Sequence, residues 1–336
     1  MKDLQHIWYK KTGTSIFLRP FSALFRVLSA MRRIGYHFGI LHRHRLPVPV
    51  IVVGNITVGG TGKTPLVAWM AAHFKKQGLK VGVISRGYGG NANYWPQYVR
   101  GDSDPAVVGD EPVLIAKRAQ CPVAVSPKRI EAAKALLKHA QCDVILSDDG
   151  LQHYALMRDI EIVVIDGVRR FGNGYCLPAG PLREPVNRLK TVDFIVCNGL
   201  AARDEYAMSL EFSAVKNVRD DSQTQTIQTF RQQAIHAVAG IGHPSRFFSM
   251  LKQFGLDVIE HPFPDHHAFS ANDLAFDDDL PILMTEKDAV KCARFANENT
   301  WYVTVEAMLS DEFATALDAR LAPLLKKTDD ATARMR

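Results

Sequence analysis

Cysteine is scarce in this chain: five in 336 residues, at positions 121, 142, 176, 197 and 292, and no two form a CxxC pair. An odd count without paired spacing excludes a disulfide frame and a zinc knuckle, and it fits reduced thiols in a cytoplasmic protein. Met1 to Lys11 lacks the apolar stretch and small-residue cleavage site of a secretory leader. Acidic residues are almost missing from the first fifty positions, where Asp3 stands against nine lysines and arginines. Internal repeats are absent. Hydrophobic residues make up 47% and charged residues 23%, which excludes intrinsic disorder and supplies enough apolar material for a packed core. The net charge of +6 favours anionic partners. Its concentration around an apolar helix, rather than across a folded face, points to lipid and away from nucleic acid.

That helix is read over residues 21–41, FSALFRVLSAMRRIGYHFGIL. At 100° per residue, Ser22, Arg26, Ser29, Arg33 and His37 share one narrow stripe. Phe21, Leu24, Phe25, Val27, Leu28, Met31, Ile34, Phe38 and Leu41 cover the rest, with Arg32 on the apolar side. A span of roughly 30 Å would just cross a bilayer. Three mid-segment arginines would each oppose insertion by about 2.5–3.5 kcal/mol. Two readings stay open: a helix lying in a membrane interface, and an amphipathic helix packed on its own domain.

A β-prone run, Val50 to Val53, feeds Gly54-Asn55-Ile56-Thr57-Val58-Gly59-Gly60-Thr61-Gly62-Lys63-Thr64. A strand entering a glycine-rich loop that ends in Gly-Lys-Thr is a phosphate cradle. Thr57, Val58, Gly59, Gly60, Thr61, Gly62, Lys63 and Thr64 form the expected nucleotide site. Lys63 would reach the β- and γ-oxygens, and Thr64 would place its hydroxyl on Mg²⁺. The usual first glycine is replaced by Thr57, and the doubled glycine resembles the loops of dimeric P-loop ATPases. Those carry a lysine where this chain has Val58.

Asp143 to Gly150, DVILSDDG, is a second buried strand ending in two carboxylates. An aspartate at such a strand end holds Mg²⁺, although Asp-Asp-Gly is also good turn chemistry. Gly109-Asp110-Glu111-Pro112 opens an apolar helix, with Asp110 read most simply as its cap. A kinase needs a carboxylate to accept the hydroxyl proton, and Asp110, Asp148 and Asp149 are the candidates. Arg129 opens another helix, as an oxyanion partner or as a solvated residue.

Taken in order, the stretches 54–65, 85–90 (Ser-Arg-Gly-Tyr-Gly-Gly), 109–112, 147–153, 178–185 (Pro-Ala-Gly-Pro-Leu-Arg-Glu-Pro) and 284–288 (Met-Thr-Glu-Lys-Asp) resemble the tetraacyldisaccharide 4′-kinase family. These are the lipid A 4′-kinases of Gram-negative bacteria, and the likeness runs from about residue 8 to about residue 305. The resemblance implies transfer of the ATP γ-phosphate to the 4′-hydroxyl of a tetraacylated glucosamine disaccharide 1-phosphate, giving lipid IVA. It also implies Mg²⁺, a peripheral place on the cytoplasmic face of the inner membrane, and an N-terminal helix that engages the bilayer. Carried over by motif, Asp110 is the catalytic base and pairs with a histidine after Asp265. That histidine is taken as His266, with His267 as its confusing neighbour. Glu111 joins Thr64, Asp148 and Asp149 at the metal. Gln152, His153, Arg183 and Glu184 fall at the cleft together with Arg129. The rivals are a membrane-recruited ATPase switch and a soluble small-molecule kinase.

The fold expected is α/β, a P-loop type of parallel sheet with helices on both faces. A smaller second α/β domain and an N-terminal amphipathic helix complete it. The segments read as 1–45 membrane-associating, 46–210 P-loop kinase domain, 211–234 linker, 235–325 smaller domain and 326–336 disordered tail. Gly240-Ile241-Gly242 is read as a tight strand-to-helix turn and not a second nucleotide site. Residues 285–288 are expected on the adenine side of the cleft.

Overall fold

The computed structural model describes Trp8, Tyr9 and residues 13–333, with side chains described at Trp8, Tyr9 and residues 16–326. The leader-free reading of Met1–Lys11 and the last three residues of the tail therefore fall largely outside the described residues. A 3₁₀ turn over Gly13–Leu18 leads into helix α1, Arg19–His37. Strand β1 (Val50–Gly54), helix α2 (Lys63–Lys76), β2 (Val81–Ser85) and β3 (Gln97–Val99) follow. Next come α3 (Asp110–Ala119), β4 (Val123–Val125), α4 (Arg129–His139), β5 (Val144–Asp148), β6 (Ile160–Asp166) and β7 (Phe194–Asn198). β8 (Tyr206–Asn217) and the short β9 (Thr224–Gln225) precede β10 (Ala234–Ala239), α5 (Pro244–Gln253) and β11 (Asp257–Pro262). The chain ends with β12 (Ile282–Thr285), α6 (Glu286–Cys292), β13 (Thr300–Leu309) and α7 (Asp311–Ala333).

All strands join one sheet in the order β11-β10-β12-β13-β8-β7-β6-β1-β5-β2-β4-β3, with β9 on β8. Pairing is parallel except at β13–β8, β8–β9 and β3–β4. β1, β2 and β5 are buried at every position, as near-continuous apolar runs must be when helices cover both faces. β1 lies beside β5 with Val53 opposite Asp148. The loop after β1 and the carboxylates after β5 therefore leave the sheet at one edge, where ligands of parallel sheets collect.

Residues 211–217, read from sequence as the start of a linker, instead complete β8. Its polar residues alternate with buried ones, so one face of the strand meets water while the other packs. β8 is the seam, parallel to β7 of the first unit and antiparallel to β13 of the second. A second tie runs the other way. Helix α7 continues through most of the segment expected to be disordered, and it returns to the first unit. There Phe313 is buried against Trp69, Phe194 and Tyr206, and Asp318 meets His73 at 2.9 Å.

Helix α1 is docked the opposite way to an ordinary amphipathic helix. Ser22, on the polar stripe, is buried and its Oγ donates to the Cys176 carbonyl at 2.7 Å. Phe21, Leu24, Val27, Leu28, Met31, Ile34 and Phe38 are all more than half exposed.

Candidate active site

Gly54 ends β1 because nothing larger fits: a Cβ there would sit 2.5 Å from Leu151 Cβ, where the chain after β5 crosses over. The loop that follows is clamped from behind. Val58 N–H donates to the Pro181 carbonyl at 2.8 Å, Arg183 N–H to the Ile56 carbonyl at 2.7 Å, and Asn55 Nδ2 to the Gly59 carbonyl at 3.2 Å. Gly62, at φ 97°, turns the chain into α2 against Asn198, which also donates to the Thr61 carbonyl at 3.2 Å. Lys63 and Thr64 open α2, so the helix N-terminus and a lysine face the same loop. That is the arrangement an anionic phosphate requires.

Two carboxylates emerge beside it with opposite properties. Asp148 is fully buried, and neither carboxylate oxygen has a hydrogen-bond partner. Burial, then the charge of Glu111, pushes its carboxyl well up despite Lys63. Asp149 sits in the left-handed region at φ 45°, a conformation aspartate tolerates better than most residues. Its carboxylate lies 3.3 Å from Lys63 Nζ and accepts from Arg183 Nη1 at 3.1 Å. Burial works against ionisation there, but Lys63, Arg183 and Arg129 together hold its carboxyl far below the usual range. Arg129 is buried, and its Nη2 donates to the main-chain carbonyls of Asp148 and Asp149, while its Nε is unpartnered.

Across the cleft stands a second cluster. Gly109, at φ 94°, caps α3, so Asp110 is the first helical residue and not the cap expected from sequence. A Cβ at Gly109 would meet the Tyr88 carbonyl at 2.6 Å, which is how the 85–90 motif comes to pack on this turn. Asp110 Oδ1 accepts its neighbour's N–H from Glu111 at 2.8 Å, and Oδ2 lies 3.1 Å from His266 Nδ1. Burial raises the Asp110 carboxyl, yet the His266 hydrogen bond and the charge of Lys287 outweigh it and leave the group ionised below its ordinary value. Hydrogen bonding to Asp110 in turn raises His266. His267 points away, with Nε2 at 3.4 Å from Asp273. Tyr88 meets the His266 ring edge-on at 5.0 Å.

Two further residues of the sequence reading serve the frame. Glu184 is buried and accepts from Gln152 at 2.9 Å and from Tyr154, with Arg188 at 3.3 Å. Gln152 also reaches the Asn55 carbonyl at 3.0 Å. His153 has an unpartnered, buried Nε2, and burial followed by the charges of Arg129, Arg158, Arg32 and Arg86 pushes its pKa down to about 4. Glu111 meets Lys287 Nζ at 3.0 Å.

Lys287 is the site residue that the sequence reading did not single out. The 285–288 stretch was expected near adenine. In the structure Thr285 caps α6, Asp288 accepts the Gly240 N–H at 2.9 Å, and Glu286 pairs with Arg118. Lys287 meets the Asp110–Glu111 turn. The signal available was positional: a lysine in the first turn of a helix that starts at the carboxyl end of a parallel strand. The Gly240–Gly242 turn is confirmed as a strand-to-helix turn, and a Cβ on Gly242 would lie 3.8 Å from Gly60 N of the phosphate loop. Among the described residues no group of three or more His, Cys, Asp or Glu side chains forms a metal cluster.

The family model for tetraacyldisaccharide-1-P 4′-kinase matches residues 14–322. Tetraacyldisaccharide 4′-kinase of Nitrosococcus oceani is 52% identical over 320 residues, which is 95% of this chain and 94% of the relative. That of Aeromonas salmonicida is 50% identical over 325 residues, 96% of each. A crystal structure of LpxK from Aquifex aeolicus in complex with ATP superposes with a TM-score of 0.78 at 28% identity, covering 92% of this chain and 99% of that one.

Proposed function

The chain belongs to the tetraacyldisaccharide-1-P 4′-kinase family, and from that premise we propose how its residues divide the work. It is an ATP-dependent kinase of lipid A biosynthesis that phosphorylates a tetraacylated disaccharide. The observation that carries the assignment of roles is the opposition of two clusters: Lys63 with Asp148 and Asp149 on one wall, and Asp110 held by His266 on the other.

The loop 57–64 binds the triphosphate through its main-chain N–H groups and Lys63. The donor set fits Mg²⁺: the two orphaned oxygens of Asp148, the Asp149 carboxylate and the Thr64 hydroxyl lie at one sheet edge. When bound, the cation neutralises charge on the β- and γ-oxygens. Glu111, tied to Lys287, adds negative charge beside Asp148. Arg129 and Arg183 fix the two aspartates, Arg129 through their carbonyls and Arg183 through the Asp149 side chain. Asp110 accepts the proton of the 4′-hydroxyl as its oxygen bonds to the γ-phosphorus. The β–γ bridging bond then breaks, and ADP leaves with the electron pair. His266 orients Asp110 and keeps it ionised.

The exposed apolar face of α1 is the surface that meets the bilayer on the cytoplasmic side of the inner membrane. It is continuous with Ile40 and Leu41, and no helix among the described residues is long and apolar enough to cross a membrane. An interfacial helix of this kind keeps the acyl chains in lipid while the sugar reaches the cleft. Arg32 of α1, with Arg86, Arg129 and Arg158, surrounds His153 with positive charge suited to a phosphorylated headgroup. With γ-³²P-ATP and vesicles carrying the lipid acceptor, label should enter lipid. The double change Phe21→Asp, Leu28→Asp should cut vesicle cosedimentation about tenfold or more, since each buried side chain contributes roughly 1.5–3 kcal/mol. Free phosphate without labelled lipid would support the ATPase switch, and undiminished cosedimentation would remove α1 from the membrane.

A further inference from the structure

Charge on a phosphoryl group in flight is met best by a cation that no protein carboxylate has already neutralised. Three cations beside the phosphate loop are committed. Lys63 and Arg183 pair with Asp149, and Arg129 donates to the main-chain carbonyls of Asp148 and Asp149. Arg169 differs. A Cβ at Gly59, four residues ahead of Lys63, would lie 3.7 Å from its Nη1. Among the described residues no carboxylate ion-pairs with its guanidinium, and the face of Tyr9 backs it, with Cζ 5.1 Å from the ring centre. Burial raises the Tyr9 hydroxyl, so this neighbour is neutral and leaves the charge of Arg169 intact.

The turn that carries Arg169 is built for one orientation. Asp166, buried at the end of β6, accepts at Oδ1 from the N–H groups of Val168 and Arg169, each at 2.9 Å. Its carbonyl accepts from the Arg170 N–H at 2.8 Å. Arg170 then takes φ 45°, a left-handed conformation rare for a long side chain. Consecutive arginines thereby go separate ways. Arg170 is engaged in a bidentate pair with Glu205, at 2.6 and 2.8 Å. Arg169 goes to the phosphate loop. Its charge also reaches the second unit, where burial and then Arg169 hold the His243 imidazole below its ordinary pKa.

We propose that Arg169 is a catalytic residue of phosphoryl transfer: its guanidinium donates to the outer oxygens of the γ-phosphoryl group as that group passes from ADP to the acceptor. The inference rests on the kinase reading above, with loop 57–64 holding the triphosphate. As the acceptor oxygen bonds to the γ-phosphorus, its proton goes to a base, and the β–γ bridging bond breaks with its electron pair leaving on ADP. Arg169 moves no proton. It offers a planar fork of N–H donors to oxygens that share the charge of the transition state. A contact that strengthens only in the transition state raises kcat and leaves the affinity for ATP alone.

Rate and binding test this together. Arg169→Ala should lower kcat about a hundredfold or more, with KM for ATP within threefold. By calorimetry with Mg²⁺ and micelles of the lipid acceptor, the native enzyme should bind ADP with aluminium fluoride, a mimic of the group in flight, about tenfold or more tighter than ADP alone. Arg169→Ala should lose that gain and keep its affinity for ADP within about twofold. Arg169→Lys holds a charge on the same turn without the planar fork. It should melt as the native enzyme does and still lose about tenfold or more in kcat, which separates the role from misfolding. Equal affinity of native enzyme and Arg169→Ala for the ADP–fluoride complex overturns the proposal, as does turnover of Arg169→Ala at the native rate. A parallel loss for ADP and for the complex also overturns it, and would make Arg169 a ground-state ligand of the diphosphate. If the native enzyme put no label from γ-³²P-ATP into lipid, the kinase reading would fail instead, and that result is separable because the fluoride complex is scored by binding.

Discussion

Two parallel strands run into helices beside the cleft, β1 into α2 and β12 into α6, and the two junctions differ in length. Between β1 and α2, residues 55–62 open a glycine-lined loop large enough for phosphates. Between β12 and α6 nothing intervenes: Thr285 ends the strand and caps the helix, and Lys287 follows within the first turn. A long connection leaves main-chain N–H groups free to bind an anion. A connection of zero length commits them to the helix and delivers a side chain instead. On the proposal made above, the first wall grips the nucleotide and the second supplies the Asp110–His266 pair.

If that division holds, damage to the first wall should exceed damage to the second. Lys63→Met removes the phosphate ligand and the partner of Asp149, and kcat/KM should fall at least a thousandfold in a coupled ADP assay. His266→Ala should cost about tenfold to a hundredfold in kcat. It should also change the pH profile. His266 depresses the Asp110 carboxyl, so its loss lets that pKa rise, and the acid limb of kcat/KM should move to higher pH. A limb that stayed in place would show that His266 acts on something other than Asp110. The smallest effect belongs to the joint between the walls. Arg118 on α3 pairs with Glu286 and donates to the Val305 carbonyl at 2.7 Å. Arg118→Ala should lower stability by about 1–3 kcal/mol in urea unfolding while leaving the first wall's nucleotide binding intact.

Much of the first wall was legible in the sequence, because its chemistry is local. The run from Val50 to Thr64 carries strand, loop and helix start in fifteen consecutive residues, and Asp148 and Asp149 end a recognisable apolar strand. The second wall was named only through the family resemblance, which paired Asp110 with His266, because its geometry is made at long range. Nothing near position 287 says that its ammonium meets Glu111, and nothing near Asp110 says that His266 lies 3.1 Å away. The choice between His266 and His267 depends on a main-chain φ of 59° at His266, which no pattern of residue types encodes. β8 was missed for a related reason. It is partly exposed, so its polar, alternating sequence looks like a connector until its partners β7 and β13 are known. In α1 the periodicity was plain, but which face would dock was not, since amphipathicity alone does not distinguish a protein core from a lipid surface.

The most direct measurement compares Asp110→Asn with the native enzyme for transfer to lipid acceptor and, separately, for binding of an ATP analogue. The amide keeps the shape and hydrogen-bonding reach of the side chain but cannot take the proton. The account predicts a fall in kcat of about a hundredfold or more with nucleotide affinity unchanged within twofold. Turnover near the native rate would contradict it, and would mean that the hydroxyl proton leaves by another route.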